Sequence, residues 1–253
     1  MILDSFKLDG KVAIVTGCDT GLGQGMALGL ANAGCDIVAV NITEPVETKQ
    51  KIEKLGRRFL DIRANLMRQE EIAGIIEQAV AAFGQVDILV NNAGIIRRED
   101  AINFTEQDWD DVMNINLKSV FFMAQAAVKQ FIKQGNGGKI INIASMLSYQ
   151  GGIRVPSYTA SKSGVMGLTR LMANEWAKYN INANAIAPGY MATNNTAALR
   201  ADESRNKEIV ERIPAGRWGT PDDLAGPCVF LASSAADYIN GYTIAVDGGW
   251  LAR

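Results

Sequence analysis

Ser145 and the stretch Tyr158-Thr159-Ala160-Ser161-Lys162 carry the residue types in this chain best suited to chemistry. The sequence has no histidine, so the commonest general acid–base side chain is absent and proton transfer must use another group. A tyrosine with a lysine four residues later can serve. On a helix, positions i and i+4 share a face, which sets an ammonium beside a phenol. A free phenol ionises near pH 10, and bringing that to neutrality takes about 4 kcal/mol. One unit charge at about 4 Å, in an effective dielectric of about 20, supplies about 4 kcal/mol. Lys162 is therefore adequate in size. A Tyr-x-x-x-Lys turn also arises by chance, so its meaning depends on the elements that position it.

The bulk composition narrows the classes those elements can serve. The chain has 253 residues, 48% of them hydrophobic, and a net charge of −2. That suffices for a large core in one α/β domain spanning 1–253. A near-neutral balance supplies no basic face for nucleic acid or an anionic membrane. The basic run from Lys49 to Arg58 is broken by Glu53 and reads as a solvated helix face. Cys18, Cys35 and Cys228 lack metal-ligand spacing and are too few for a disulfide framework, so no metal is expected and a reducing compartment fits. Asp4 among the first apolar residues argues against a signal peptide, and no apolar run reaches the length of a membrane span.

In the first half, Lys11–Thr16 is an apolar run suited to a strand buried on both faces. Gly17-Cys18-Asp19-Thr20-Gly21-Leu22-Gly23 follows, then a helical pattern through Ala33. Strand, glycine turn and helix are the context in which glycines let the backbone approach a pyrophosphate at a helix N-terminus. The spacing G-x-x-x-G-x-G differs from the common G-x-G-x-x-G fingerprint, and a tight βα turn alone would use the same residues. A second strand, Asp36–Asn41, ends where this architecture meets the adenosine ribose. Asn41 can bind a hydroxyl but has no charge; with Asp19 in the turn and no basic residue placed for a 2′-phosphate, NAD is expected over NADP. A third strand near Arg58–Ile62 leads to Asn65-Leu66, and a strand at Val86–Val90 leads to Asn91-Asn92-Ala93-Gly94. Small and amide residues there suit a cofactor passing the backbone, or a plain turn.

In the second half, a helical stretch from Asp108 to Gln134 carries Asn116, a polar amide in an apolar run that needs a partner. A strand at Lys139–Ala144 ends at Ser145, and Tyr158 and Lys162 open a helix to about Tyr179. The strand Ile181–Ala187 stops at Pro188-Gly189. The long polar segment 190–213 reads as irregular and suits a lid. A helix from Asp222 to Ser233 contains Pro227, which should kink it or delay its start. Thr243–Val246 is the last strand. This alternation predicts an α/β, Rossmann-type doubly wound parallel sheet of about seven strands with helices on both faces and ligands at the strand C-terminal ends.

Taken together, these motifs resemble the short-chain dehydrogenase/reductase family over the full length. They are Thr16-Gly-x-x-x-Gly21-x-Gly23, Asn65-Leu66, Asn91-Asn-Ala-Gly94, Asn116, Ser145, Tyr158-x-x-x-Lys162 and Pro188-Gly189-x-x-x-Thr193. Two positions depart from the usual pattern: Asn65 and Asn41 stand where aspartate is common. The resemblance implies that Tyr158 is the general acid–base, Lys162 lowers its pKa and holds the nicotinamide ribose, and Ser145 bonds the reacting oxygen. It implies that Asn116 anchors a water leading to Lys162, and that Pro188, Gly189, Met191 and Thr193 line the nicotinamide pocket. It also implies a homotetramer with the C-terminal segment, including Trp250, at an interface.

A closer likeness, within the family, is to its sugar-acid branch. It lies in Ile95–Asp100, Ser145–Arg154, Gly189–Thr196 and Arg212–Gly219. It implies a cytoplasmic enzyme of pectin-derived uronate catabolism that interconverts a hydroxy and a keto group on a sugar acid with NAD(H). Gluconate dehydrogenases and 3-oxoacyl carrier-protein reductases are the neighbouring alternatives. A non-catalytic dinucleotide sensor is the alternative from another class, and it would not need Asn116, Ser145, Tyr158 and Lys162. Arg98 and Arg154 lie on loops bordering the pocket, and either guanidinium could hold a substrate carboxylate; Arg97 reads as solvated.

Overall fold

The computed structural model describes residues 1–253. Seven parallel strands form one sheet in the order β3-β2-β1-β4-β5-β6-β7. They are β1 (Val12–Thr16), β2 (Asp36–Asn41), β3 (Phe59–Arg63), β4 (Ile88–Asn91), β5 (Gly138–Ile143), β6 (Ile181–Pro188) and β7 (Thr243–Val246). The order runs outward from β1 to β3 on one side and from β4 to β7 on the other. The crevice between β1 and β4 is thus the switch point where such sheets bind ligands.

Side chains alternate across the strands, and each face buries its own cluster. Ala13 and Val15 face a core with Met26 and Leu30 of α1 (Gly21–Asn32) and Cys228 and Leu231 of a helix near the C-terminus. Val12 and Ile14 face a second core with Ile75 of α3 (Gln69–Phe83) and Phe131 of a helix that follows β4. Both faces are covered, which is why the strands read as continuous apolar runs. After β2 comes α2 (Val46–Lys54), which adds Ile52 to the first core.

Two segments differ from the sequence expectation. The helix anticipated over 108–134 is divided into α4 (Glu106–Met113), a π-helical turn (Asn114–Lys118) and α5 (Ser119–Gln134). The amide of Ser119 donates to the carbonyl of Asn114, five residues back. Such wide turns collect at functional sites because they turn a side chain that a regular helix would hide. The segment 190–213 is largely helical: a short 3-10 turn precedes α7 (Ala197–Ala201) and α8 (Glu203–Arg212). Asp202 caps α8 by accepting from the Arg205 amide at 3.0 Å, a polar start signal inside a polar run. Pro227 delays its helix as expected. A 3-10 turn covers Pro221–Leu224, and Pro227 is third in α9 (Ala225–Ala232), where its missing N–H would have had no helical acceptor.

The C-terminal aromatic is not offered to a partner. Trp250 is 4% exposed. It packs edge-on against Tyr190 and under the Arg212 guanidinium, and its Nε1 donates to Gln150 Oε1 at 3.2 Å. The tetramer expectation therefore gains nothing from this residue. No helix is long and apolar enough to cross a membrane.

Candidate active site

The glycine turn leaves β1 and enters α1. Gly17 and Gly21 have φ of +63° and +59°, a region other residues rarely adopt. A Cβ on Gly23 would fall 2.1 Å from the Gly17 carbonyl oxygen, so that position admits only glycine. Thr20, the residue before α1, makes no side-chain capping bond, which leaves the first-turn amides of α1 without a side-chain acceptor. A positive helix terminus above a close-packed backbone cradle fits a pyrophosphate, and hence a dinucleotide.

The end of β4 is fastened to that turn. Thr16 Oγ1 accepts from the amides of Asn92 and Ala93, each at 3.0 Å. Asn92 Nδ2 donates to the carbonyls of Thr16 at 3.0 Å and Gly17 at 2.7 Å. Ala93 lies so near Gly17 that a Cβ there would sit 2.9 Å from the Ala93 Cα. The small residues of Asn91–Gly94 therefore serve backbone contact between two strand ends. On the far side, Asn65 Oδ1 accepts from the Met67 amide at 3.0 Å and Leu66 is buried. Past β6, Gly189 donates to Val246 O at 3.0 Å, Met191 is buried beside Gly219, and Thr193 comes over Gly21.

The reacting groups converge from β5, α6 (Pro156–Trp176) and the π turn. Ser145 lies just past β5, buried, and caps a short turn by accepting from the Leu147 amide at 3.1 Å. Tyr158 is half-buried on the first turn of α6. Lys162, one turn on and 4% exposed, donates through Nζ to the Ile143 carbonyl at 2.6 Å. Its ammonium lies 5.7 Å from the Tyr158 ring centroid. Asn116 is fully buried; Oδ1 accepts from the Ile95 amide at 2.8 Å, and Nδ2 donates to the Ile95 carbonyl at 2.9 Å and to Ser161 Oγ at 3.4 Å. The π turn thus aims Asn116 at the loop leaving β4, while Gly94 leaves room for it.

Burial pushes the Tyr158 phenol above its ordinary pKa, opposed by the Ser145 side chain and by the Arg98 charge. Burial also lowers Lys162 to about 8. The Lys162 ammonium is held by the Ile143 carbonyl near the Tyr158 ring, and the Arg98 guanidinium also acts on the phenol.

Arg98 and Arg154 separate in the structure. Arg98 is exposed and donates to Asn195 O at 3.4 Å. Arg154 is paired with Asp100 at 3.1 Å and Glu99 at 3.7 Å, at a left-handed φ of +64°. Its charge is already met by two carboxylates. Arg97 is likewise paired, with Asp108 and Asp111. One contributor escaped the sequence reading: Ser148, whose Oγ donates to Lys162 O at 2.7 Å and accepts from the Ser145 amide at 3.3 Å, joining the serine loop to α6. Its position three residues after Ser145, as in a reciprocal capping turn, was the available signal.

A family model described as enoyl-(acyl carrier protein) reductase, of the short-chain alcohol dehydrogenase type, matches residues 17–251. The chain belongs to the short-chain dehydrogenase/reductase family. This short-chain dehydrogenase/reductase is 76% identical over 253 residues to 2-dehydro-3-deoxy-D-gluconate 5-dehydrogenase of Escherichia coli K12, covering 100% of both chains. It is 54% identical to the Bacillus subtilis enzyme of the same name, over 99% of this chain and 98% of that one. Among solved structures it is similar to a gluconate 5-dehydrogenase from Burkholderia cenocepacia in complex with NADP and tartrate. That likeness has 39% identity, a TM-score of 0.95, and 100% coverage of each chain. The short-chain dehydrogenase/reductase is thus an oxidoreductase acting on a hydroxyl or carbonyl group.

Proposed function

We propose that the protein is a 2-dehydro-3-deoxy-D-gluconate 5-dehydrogenase, interconverting that sugar acid and 3-deoxy-D-glycero-2,5-hexodiulosonate with NAD(H). The observation that carries the reading is the meeting of Ser145, Tyr158 and Lys162 beside one exposed, unneutralised guanidinium, Arg98. The first three suit a carbonyl or alcohol, and the last suits an acid. Near-complete identity of length with relatives named for this reaction supports the substrate. The same likeness supports a place in pectin-derived uronate breakdown and in the cytoplasm.

The glycine turn, Asn92, Ala93, Gly94, Asn65, Leu66, Pro188, Gly189, Met191 and Thr193 would hold the dinucleotide along the switch-point crevice. When bound, the nicotinamide coenzyme supplies or accepts the hydride. Tyr158, kept protonated by burial, donates its proton to the substrate oxygen in the reducing direction and accepts it in the oxidising direction. Ser145 bonds the same oxygen and holds it within reach of the phenol. Lys162 takes the ribose hydroxyls and, through the Asn116 site, connects to the protein exterior. Arg98 binds the carboxylate through a two-bond fork, worth about 1.5–3 kcal/mol. Segment 190–213 covers the pocket as a helical lid fastened by Arg98 at Asn195.

The groove between α5 and α6 supports a homotetramer: Leu117, Phe121, Phe122, Leu168 and Leu171 border it, and Gly164 and Gly167 open its floor. The function is tested by following NADH oxidation with the 2,5-diketo acid, 5-ketogluconate and an acetoacetyl thioester. Fastest turnover on the diketo acid is expected. Preference for the thioester, with NADPH, would overturn the reading in favour of a carrier-protein reductase.

A further inference from the structure

Asn41 ends β2, the place where a dinucleotide sheet reads the adenosine ribose. Its side chain is not available for that. It is 4% exposed, and Oδ1 accepts from the amides of Cys18 at 2.7 Å and Asp19 at 3.1 Å. The carbonyls of the same two residues are held as well. Thr48 Oγ1 donates to Cys18 O at 2.8 Å, and Gln24 Nε2 donates to Asp19 O at 3.3 Å. Asn41, Thr48 and Gln24 together form a truss that fixes the turn from behind.

What the turn presents at the strand end is the carboxylate of Asp19. The Thr43 hydroxyl, two residues past Asn41, donates to Asp19 Oδ2 and holds it across the end of β2. The cations at this corner are already matched by carboxylates, while Arg63 also donates to Ile42 O at 3.2 Å. Arg63 is paired with Asp61 at 2.8 Å and Glu44 at 3.5 Å, and Lys51 with Glu47 at 2.7 Å. A 2′-phosphate here would meet a fixed negative charge and no free positive one.

We propose that Asp19, clamped by Thr43, determines the coenzyme by repelling a 2′-phosphate, and that Asn41 positions the turn without reading the ribose. This rests on the nicotinamide-dinucleotide reading above. The acid that usually stands on the strand end has its counterpart here in the glycine turn, delivered to the same place.

The test is direct binding of NADH and of NADPH, each followed by coenzyme fluorescence, to wild type, Asp19→Asn, Thr43→Val and Asn41→Asp. Wild type should bind NADH more tightly. Asp19→Asn should tighten NADPH by roughly tenfold or more without tightening NADH, since it removes one charge at close range. Thr43→Val should move the ratio the same way by less. Asn41→Asp should move it by less than about threefold, because its oxygen already faces two amides. A purely structural role for Asp19 would weaken both coenzymes in parallel, and that result overturns the proposal. So does a ratio governed by Asn41→Asp and untouched by Asp19→Asn. Failure of the NAD reading shows separately, as a wild type that binds NADPH at least as tightly as NADH. The Asp19→Asn ratio then still decides the role of Asp19.

Discussion

Arg98 donates through Nη2 to the backbone carbonyl of Asn195, 3.4 Å away. The contact joins the loop leaving β4 to the helical segment 190–213, and the same guanidinium opposes the rise that burial gives the Tyr158 phenol. Arg98→Ala should therefore raise KM for the sugar acid by roughly tenfold to a hundredfold. It should change activity on an uncharged analogue much less. It should also move the alkaline limb of the reduction profile to higher pH, because the phenol keeps its proton longer without the cation. Equal loss on charged and neutral substrates would remove Arg98 from carboxylate recognition.

Arg154 should behave differently. Its ion pairs are half-exposed and worth roughly 0–1 kcal/mol, while its left-handed backbone costs a non-glycine residue about 1 kcal/mol. Arg154→Gly should leave Tm level or slightly raised. Its KM should not depend on substrate charge, and a charge-selective rise in KM would restore Arg154 to the substrate site.

Tyr158→Phe keeps the ring and removes only the proton donor. Turnover should fall by several orders of magnitude, roughly the contribution of positioned acid–base catalysis. NADH binding, read by fluorescence titration, should persist. Near-normal kcat would exclude the assignment of Tyr158 as the acid.

Lys162 carries a pH signature in the coenzyme-free protein. Its pKa falls from 10.5 to about 8 on folding, through burial. Below about pH 8 the lysine is charged in both states, and folding bears the full cost. Between about pH 8 and 10.5 the unfolded chain binds the extra proton, so stability rises with pH. The whole effect is worth about 3 kcal/mol. Denaturant titrations at pH 7 and pH 10 should show wild type gaining stability relative to Lys162→Met. The raised Tyr158 pKa acts the same way above pH 10 in reverse sign, with the folded state holding the proton, so the comparison stops there. A difference between the two proteins that does not change with pH would contradict the burial of the Lys162 ammonium.

Much of this was legible in the chain because the sheet is buried on both faces. Asp36–Asn41 and Thr243–Val246 coincide with β2 and β7 since apolar runs bounded by turn residues leave little choice. The chemical residues fall at strand ends for the same topological reason. What was hidden depends on side-chain direction. Asn41 and an ordinary ribose-binding residue occupy the same position in a sequence, and only the two amides in front of Oδ1 distinguish them. Trp250 looked like an interface aromatic until Tyr190 and Arg212 were found around it. α7 is too short and α8 too polar for periodicity to show either; Asp202, which caps α8, is the start signal that the sequence expectation did not use.

The π turn has a consequence for chain length. It holds one residue more than an α-helical path between α4 and α5 would need. Loops such as Gly135–Gly137 can lose or gain a residue at the surface, but this helix cannot. A single-codon deletion between Asn114 and Lys118 would leave the number of residues a regular α-helix needs, so α4 and α5 would keep their relative orientation and only the wide turn would be lost. Asn116, which the wide turn aims at Ile95, would lose that contact while Val112 kept its place in the core. The extra residue of this turn, and not the Asn116 side chain alone, is what keeps Asn116 at the loop leaving β4.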